Sequence, residues 1–260
     1  MTSPTSSHIQ GNETKTENRL REQICTMAKS MFDRGLTGGS SGNISARTQE
    51  GGLLVTPTGS SFAHLDPATL SRFDIDGNQI SGDKPTKEMN LHAAFYDTRS
   101  TANAVVHLHS CHSVALSLLP QADADSFLPP LTAYSIMRLG KVKLLPYFRP
   151  GDPKMGDAVR GLAGKRSAVM LAAHGPVVAG KDLAAAVFAI EELEETAKLA
   201  MLLKGQQFQI LTETQIQDVV SHFNVEWESC PHFPPTSVSF GPTARFQTPF
   251  SQPNNMVLLQ

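Results

Sequence analysis

Apolar positions recur along the chain with two spacings, and each spacing predicts one kind of element. Helical spacing predicts helices over residues 14–35, 85–95, 111–119, 155–162, 183–204 and 212–223. Short aliphatic runs predict buried strands at residues 53–55, 104–110, 142–145 and 168–172. An Asp-Gly turn predicts a hairpin over residues 74–82. Helices and strands alternate along the chain, so the pattern indicates an α/β protein.

The pattern also divides the chain into one folded domain and two polar ends. Residues 1–13 are polar and rich in Ser and Thr, and we expect a disordered leader there. Residues 226–260 are rich in Pro, Ser and Gln, and we expect an irregular tail. Residues 14–225, which lie between these ends, are numerous enough to bury one hydrophobic core.

Composition and charge argue against several classes of partner. A formal net charge of -2 over 260 residues gives no electrostatic reason to expect nucleic acid or an anionic membrane as a partner. No apolar run approaches the roughly 18 residues that a membrane-spanning helix needs. The polar N-terminus has no apolar signal core, and three widely spaced cysteines indicate reduced thiols. We therefore expect a cytoplasmic protein.

Two histidines at alternate positions of a predicted strand are the first candidates for chemistry. Strand side chains alternate between faces, so His107 and His109 point the same way and can reach one metal ion. The alternative is two unrelated histidines on a half-buried strand. His174 ends another buried strand and precedes Gly175, which makes it a candidate third ligand or an ordinary turn residue. Glu88 opens a helix, where the helix dipole favours a carboxylate and where a base beside a metal would also be well placed.

Two loops and an acidic run are further candidates. The loop at residues 38–45 is rich in Gly and Ser and can bind phosphate through backbone N–H groups, although a plain tight turn explains it equally well. A second loop, residues 56–61, is rich in hydroxyl groups. Neither loop has the spacing of a Walker A or dinucleotide-binding loop. We interpret the acidic run at residues 191–195 as a solvent-exposed helix face, with Glu194 and Lys198 as an i,i+4 ion pair.

Five segments occur in one order along the chain, and together they resemble a known family. The segments are Gly42-Asn43, residues 56–59, residues 85–88, His107-x-His109 and His174-Gly175. In this combination they resemble the class II aldolase/adducin family, over roughly residues 17–220. Further segments resemble the branch of that family that decarboxylates 3-oxo-tetronate 4-phosphates, namely residues 81–88, 137–140, 146–152 and 191–199.

The resemblance implies a fold, a metal and an assembly. The implied fold is α/β, with a mainly antiparallel central sheet flanked by helices. Zn²⁺, or another divalent metal, would be held by His107, His109 and His174. Glu88 would be the fourth ligand in the resting site and the acid/base during turnover. The family also implies a homotetramer with its active sites at subunit interfaces.

The resemblance further implies a phosphorylated sugar acid as the small-molecule substrate. Its phosphate would contact a group of loop residues, namely Asn43, Thr58, Gly59, Thr86 and Lys87. Aldolases of the family have a pair of serines where this chain has Thr86-Lys87, so the match there is incomplete. Candidate further substrate contacts are Tyr134, Arg138 and Arg149. One of the two arginines would bind the substrate carboxylate, and the alternative for either is an ordinary surface or interface ion pair.

The implied activity is a metal-dependent lyase reaction in four-carbon sugar-acid catabolism. A 3-oxo-tetronate 4-phosphate would lose CO₂ to give dihydroxyacetone phosphate, through an enediolate that the metal stabilises. A sugar-phosphate aldolase reaches the same enediolate by breaking a different carbon–carbon bond, so the metal ligands do not separate the two activities. The family resemblance also admits a sugar-phosphate dehydratase and a non-enzymatic adducin-like module. Members of the latter branch have lost the metal ligands, whereas this chain has three histidines and Glu88.

Overall fold

The computed structural model describes residues 5–120 and 123–227 of the chain. Its helices are α1 (Thr5–Asp33), α2 (Met89–Thr98), α3 (Cys111–Ser117), α4 (Ala133–Leu139), α5 (Lys154–Arg160), α6 (Leu183–Leu203) and α7 (Glu213–Phe223). Its strands are β1 (Asn43–Arg47), β2 (Leu53–Val55), β3 (Ser71–Phe73), β4 (Gln79–Ser81), β5 (Ala104–His107), β6 (Lys143–Leu145), β7 (Ala168–Leu171) and β8 (Gly175–Gly180). None of the helices described here is long and apolar enough to cross a membrane.

The described strands form one sheet in the order β4-β3-β2-β1-β5-β8-β7-β6. Each neighbouring pair is antiparallel except β6 and β7, which run parallel. The expected mainly antiparallel sheet flanked by helices is therefore confirmed. The predicted hairpin is also present as β3 and β4, closed by a hydrogen bond from the N–H of Asp74 to the carbonyl of Asn78.

Helices cover both faces of the sheet, and β5 shows how the two faces are divided. Val106 packs in the core formed with α1 and α6, whereas Val105 packs in the core formed with α2 and α5. Side chains alternate along a strand, so His107 lies on the same face as Val105 and points towards α2. The fold thus brings the strand histidine to the helix that begins after Glu88.

One end of the sheet collects the segments that carry candidate site residues. β1 starts there at Asn43, which pairs with His107 at the end of β5. β5 also pairs with β8, whose first residue, Gly175, follows the turn that carries His174. Residues distant in sequence therefore converge, because β1 and β8 begin, and β5 ends, at the same end of the sheet.

The N-terminal helix is longer than predicted. We expected a disordered leader over residues 1–13 and a helix start at Thr14, but α1 begins at Thr5. Once a helix has nucleated, each added residue gains a backbone hydrogen bond at little cost, and residues 5–13 contain no proline to stop it. Residues 1–4 of the predicted leader, and the predicted tail beyond residue 227, lie outside the described residues.

Glu194 is buried, which corrects the interpretation of the acidic run on α6 as solvent-exposed. Its carboxylate accepts hydrogen bonds from the backbone N–H groups of His112 (2.8 Å) and Ser113 (2.9 Å) at the start of α3. Nδ1 of His112 lies 2.8 Å from the same carboxylate. Lys198 pairs with Glu195, at 3.7 Å, rather than with Glu194. Glu194 therefore ties α3 to α6 and satisfies N–H groups that a helix start leaves without an internal partner.

Replacement of Glu194 should destabilise the fold. Glu194→Ala removes the acceptor of both α3 N–H groups, and we expect the free energy of unfolding to fall by about 2 to 4 kcal/mol. Glu195→Ala is the matched control on the same helix; its side chain is 62% exposed, and the expected change is below about 0.5 kcal/mol. Urea unfolding followed by circular dichroism measures both values. Equal unfolding midpoints for the two variants would show that Glu194 has no such role.

Candidate metal centre

His107 and His109 face the same way, as the alternation of strand side chains predicted. His107 is fully buried at the end of β5, and its Nδ1 lies 2.8 Å from the carbonyl oxygen of Pro176. A carbonyl can only accept, so Nδ1 carries the proton and Nε2 keeps its lone pair. His109 lies just beyond the strand, with its Nε2 3.1 Å from Nε2 of His107. Both Nε2 atoms therefore border the same small space.

His174 reaches that space from the turn between β7 and β8. Its ring centroid lies 4.9 Å from that of His107 and 4.7 Å from that of His109. Among the described residues, neither buried ring nitrogen of His174 has a hydrogen-bond partner. A buried polar atom without a partner is costly, so this ring is better explained as a ligand than as an ordinary turn residue.

The approach of this turn to β5 depends on Gly175. A Cβ at this position would lie 2.0 Å from the carbonyl oxygen of Leu108 and 3.2 Å from Cε1 of His107. No side chain can occupy that space, so the contact requires glycine. The Gly that follows His174 therefore has a direct part in placing it beside His107.

Glu88 lies against the three rings from the N-cap position of α2. Its Oε2 is 3.4 Å from Nε2 of His107, and its Oε1 is 3.4 Å from Nε2 of His174. Nδ2 of Asn43 donates to Oε2 at 2.9 Å. The N-terminal end of a helix favours a negative charge, so this position suits an ionised carboxylate. The predicted neighbourhood of Glu88 and the histidine strand is thus present.

The donor atoms of this cluster fit one divalent ion. The ligand atoms of His107, His109 and His174 lie within 4.8 Å of one another. Two ligands of a tetrahedral Zn²⁺ ion, with Zn–N near 2.0–2.1 Å, are about 3.3 Å apart. The separations of 3.1 Å between two Nε2 atoms and 3.4 Å to Glu88 agree with that spacing. Imidazole and carboxylate are also ligands that zinc and its neighbouring metals accept.

The protonation states suit metal binding as well. Burial lowers the pKa of His107 to about 4, and burial also lowers the pKa values of His109 and His174. All three rings are therefore neutral near pH 7, as ligation requires. Burial raises the pKa of Glu88, but the adjacent imidazoles, above all His107, and the Asn43 hydrogen bond outweigh it, so that pKa is lowered. Because the imidazole rings are neutral at pH 7, the hydrogen bond from Asn43 is the interaction that still stabilises the ionised form of Glu88 at that pH.

The predicted phosphate-binding residues lie in two neighbouring loops beside Glu88. The N–H of Thr58 donates to the carbonyl of Lys84 (2.9 Å), and the N–H of Thr86 donates to the carbonyl of Thr56 (3.2 Å). Gly59 has a positive φ of 74°, which opens a tight turn next to Thr58. These bonds place Thr58 and Gly59 beside the segment that carries Thr86 and Lys87. A phosphate contact with them stays a prediction.

Asn43, the remaining phosphate candidate, is placed differently. Its side chain is buried, with Nδ2 on Glu88 and Oδ1 2.5 Å from Nε2 of His92. Both ends of the amide are therefore engaged inside the protein. This arrangement supports an orienting role for Asn43, and its predicted phosphate contact stays untested.

Arg149 lies at the same end of the sheet as the histidines. It belongs to the loop after β6, and the parallel pairing of β6 with β7 puts this loop beside the turn that carries His174. Gly151 of this loop packs against Lys87, since a Cβ at Gly151 would lie 3.4 Å from Cβ of Lys87. The Arg149 side chain is 70% exposed, and its contact with Asp152 is 3.7 Å long. An exposed ion pair of that length is weak, so Arg149 can exchange it for a substrate carboxylate.

Arg138 and Tyr134 lie elsewhere in the chain. Arg138 lines a cavity together with Arg99, the C-cap of α2, and Lys181, which follows β8. Arg99 and Lys181 follow the ends of α2 and β8 that are distant from the histidines. At about 3.3 Å per strand residue, the length of β8 puts the cavity roughly 20 Å from the histidine cluster. The exposed ring of Tyr134 lies 5.9 Å from the Arg138 guanidinium. Within one chain, the structure does not bring these two candidates to the metal site.

A family comparison agrees with this geometry. The Class II Aldolase and Adducin N-terminal domain matches residues 22–201. The chain belongs to this family. The resemblance drawn from the five sequence segments is therefore confirmed.

Individual members of the class II aldolase/adducin family are similar to this chain over most of their own length. The chain is 45% identical to the 3-oxo-tetronate 4-phosphate decarboxylase of Escherichia coli K12, over 80% of this chain and 98% of the relative. It is 34% identical to the L-fuculose phosphate aldolase of Methanocaldococcus jannaschii, over 70% of this chain and 96% of that relative. The crystal structure of YgbL from Escherichia coli superimposes with a TM-score of 0.76 at 44% identity, over 78% of this chain and 98% of YgbL.

Removal of any of the three histidines should release the metal. His107→Ala, His109→Ala and His174→Ala should each weaken metal binding by more than the roughly 10–100-fold that loss of an outer-shell partner costs. His112→Ala is the control, since its ring bonds Glu194 and not the cluster. Elemental analysis after dialysis gives metal per chain, and circular dichroism reports the fold. If one of the three variants keeps its full metal content, that histidine is not a ligand.

Proposed function

We propose that this chain is a metal-dependent carboxy-lyase that converts a 3-oxo-tetronate 4-phosphate to dihydroxyacetone phosphate and CO₂. The observation that carries the proposal is the cluster of three histidines and Glu88 beside two hydroxyl-rich loops. This combination suits a substrate with a chelating oxygen pair and a phosphate. The 45% identity to a decarboxylase, against 34% to an aldolase, favours this branch of the family.

The metal proposed for the site is Zn²⁺, held by His107, His109 and His174. When bound, a divalent ion supplies the positive charge that stabilises the enediolate left when CO₂ departs. The neutral imidazoles leave that charge undiminished. His107 is held in one tautomer by its hydrogen bond to Pro176, which keeps its Nε2 aimed at the cluster.

Glu88 is the residue proposed to handle the proton. The C1–C2 bond breaks, C1 leaves as CO₂, and C2 keeps the electron pair and needs one proton to become the hydroxymethyl carbon of the product. Glu88 lies 3.4 Å from two of the ligand nitrogens, close enough to deliver a proton to a substrate bound there, directly or through water. Because Glu88 is ionised in the free site, its carboxylate first takes this proton from solvent and is ionised again once the proton has been delivered to C2.

The charged ends of the substrate are assigned to the surrounding loops. Lys87, the hydroxyl of Thr58 and the backbone N–H of Gly59 would receive the phosphate dianion, since the backbone N–H of Thr58 already donates to Lys84. Arg149 would pair with the C1 carboxylate until it leaves as CO₂. Arg149 is preferred to Arg138 because only Arg149 lies at the histidine end of its own chain.

A sugar-phosphate aldolase is the second candidate. It would use the same metal ligands and the same acid/base, and the identity to an L-fuculose phosphate aldolase supports it. A dehydratase would also need this metal site. The adducin-like module is disfavoured because all four potential ligands are present and assembled.

We further propose a homotetramer with sites at subunit interfaces and a cytoplasmic location. Exposed apolar side chains on α6, Phe188 at 48% and Leu202 at 68%, offer surface for a second copy. The location rests on the metabolic class of the related enzymes.

A substrate screen on the metal-loaded protein tests the proposed reaction. Four-carbon 3-oxo acid phosphates are compared with L-fuculose phosphate, and CO₂, dihydroxyacetone phosphate and aldehyde are measured. We expect CO₂ and dihydroxyacetone phosphate in equal amounts from one four-carbon stereoisomer. Aldehyde release from the fuculose compound, without CO₂ from any acid, would favour the aldolase instead.

Glu88→Gln should separate metal binding from turnover. The amide keeps the size of the side chain and removes its charge and its useful pKa, so zinc should stay bound to the three histidines. We expect turnover to fall by about 10²-fold or more, the usual contribution of a positioned acid/base group. CO₂ release and deuterium incorporation from solvent are followed in the same reaction, because loss of CO₂ needs no base. Wild-type rates with unchanged stereospecific labelling would show that Glu88 is only a helix-start carboxylate.

Replacement of the two arginines should have unequal effects. Arg149→Ala should raise the KM for the acid substrate about ten-fold, the value of one charge-assisted contact in a solvent-accessible site. Arg138→Ala is the matched control, and a change within about two-fold is expected if its cavity is remote from the site. Steady-state kinetics on both variants gives the two KM values and shows which arginine contacts the substrate. A larger effect at Arg138 would show that a neighbouring copy brings this residue to the site.

A further inference from the structure

Behind Glu88 a row of buried polar side chains continues away from the histidine cluster. Asn43 bonds Glu88 at 2.9 Å, and its other end lies 2.5 Å from Nε2 of His92. Nδ1 of His92 lies 2.6 Å from Oγ of Ser45, which lies 2.8 Å from the hydroxyl of Tyr96. All five side chains are buried, so each needs these hydrogen bonds to satisfy its polar atoms.

The backbone explains why these residues meet. Glu88, His92 and Tyr96 follow one another at intervals of four residues, so they lie along one side of α2 from its N-cap onwards. Asn43 and Ser45 are two residues apart on β1 and point to one face of the sheet. A row on a helix therefore pairs with a row on a strand. We name these four residues beyond Glu88 (Asn43, His92, Ser45 and Tyr96) the buried relay.

The direction of every hydrogen bond in the buried relay follows from the ionised carboxylate of Glu88, at which the relay ends. An ionised Glu88 can only accept, so Nδ2 of Asn43 donates to it and Oδ1 of Asn43 is left as an acceptor. Nε2 of His92 must then carry a proton and donate to Oδ1. His92 is fully buried, and burial, with a further contribution from His107, lowers its pKa to about 3, so the ring is neutral.

The second half of the relay is fixed in the same way. A neutral imidazole with its proton on Nε2 has a bare Nδ1, so the Ser45 hydroxyl donates to Nδ1. Oγ of Ser45 then accepts from the Tyr96 hydroxyl. Each donor thus points along the relay towards Glu88. Bonds aligned in one direction polarise one another and strengthen the last bond, the one made to the carboxylate.

We infer that Asn43, His92 and Ser45 are positioning residues that hold the Glu88 carboxylate in one orientation through the Nε2–H tautomer of His92. This inference rests on the proposed acid/base role of Glu88. When substrate takes the place of Glu88 among the ligands, the bond from Asn43 remains and fixes where the proton is delivered. A displacement of about 1 Å in such a group can cost about 10²-fold in rate. The relay therefore acts on turnover rather than on substrate binding.

The test compares two substitutions at His92. His92→Gln places an amide N–H near the position of Nε2 and can still donate to Asn43, whereas His92→Leu cannot. We expect His92→Leu to lower kcat about ten-fold or more with KM within about three-fold, and His92→Gln to recover kcat to within about three-fold of wild type. Metal per chain should be unchanged in both. Ser45→Ala, which removes only a hydroxyl, is the second variant if His92→Leu does not fold, and it should also lower kcat with little change in KM.

A matched control separates positioning from stability. Phe95→Leu truncates a fully buried side chain on the same helix, and Phe95 takes no part in the hydrogen bonds of the buried relay. It should lower the melting temperature while keeping the wild-type kcat at a temperature where it is folded. Equal losses of kcat in Phe95→Leu and His92→Leu, or in His92→Gln and His92→Leu, would overturn the inference.

A second readout needs neither metal nor substrate. Nitrogen-15 NMR of histidine-labelled, metal-free protein, with His92→Gln to assign the signal, should show His92 with a protonated Nε2 and a bare Nδ1 at neutral pH. The opposite tautomer would overturn the inference whatever the enzyme catalyses. If the tautomer is as expected and no 3-oxo acid phosphate is decarboxylated, the proposed function has failed and the relay is measured on the substrate that the enzyme does turn over.

Discussion

The contact between the end of β5 and the turn before β8 is the constraint on which the site depends. The carbonyl of Pro176 receives both the backbone N–H of Leu108 (3.2 Å) and Nδ1 of His107 (2.8 Å). One oxygen thus fixes the strand end and the ring tautomer together. The contact exists only because Gly175 has no side chain, since a Cβ would be 2.0 Å from the Leu108 carbonyl. His174 is placed among the other histidines as a consequence.

Burial around this contact sets the chemistry. Desolvation keeps the three imidazoles neutral, and it makes every polar atom of the site costly unless it has a partner. Glu88 meets that requirement through Asn43, and Asn43 through His92. Lys87 and Arg149 are exposed at the rim, where the proposed function assigns them to the anionic ends of the substrate. In the proposed enzyme a buried group of candidate metal ligands would thus lie behind a cationic entrance.

Local spacing predicted most of the helices and strands, whereas the antiparallel sheet and the full set of candidate metal ligands were implied by the family resemblance. Alternation along β5 predicted the shared face of His107 and His109, and helical spacing predicted α6, which the structure shows capped by Asp182. Long-range partners were beyond such patterns. The acidic run on α6 looked solvent-exposed because the α3 N–H groups that bind Glu194 come from elsewhere in the chain. Likewise Arg138 looked equivalent to Arg149 until the sheet placed them at opposite ends.

If a divalent ion held by His107, His109 and His174 is required for turnover of a phosphorylated sugar acid, removal of that ion must abolish turnover. Metal-free protein, prepared with a chelator and shown to be folded, is titrated with Zn²⁺ while metal content and CO₂ release are measured on the same samples. We expect no turnover without metal, and a rate that rises in proportion to bound zinc until about one ion per chain is reached. Full activity in the metal-free protein, or zinc binding that leaves the rate unchanged, would show that the ion is not required for turnover.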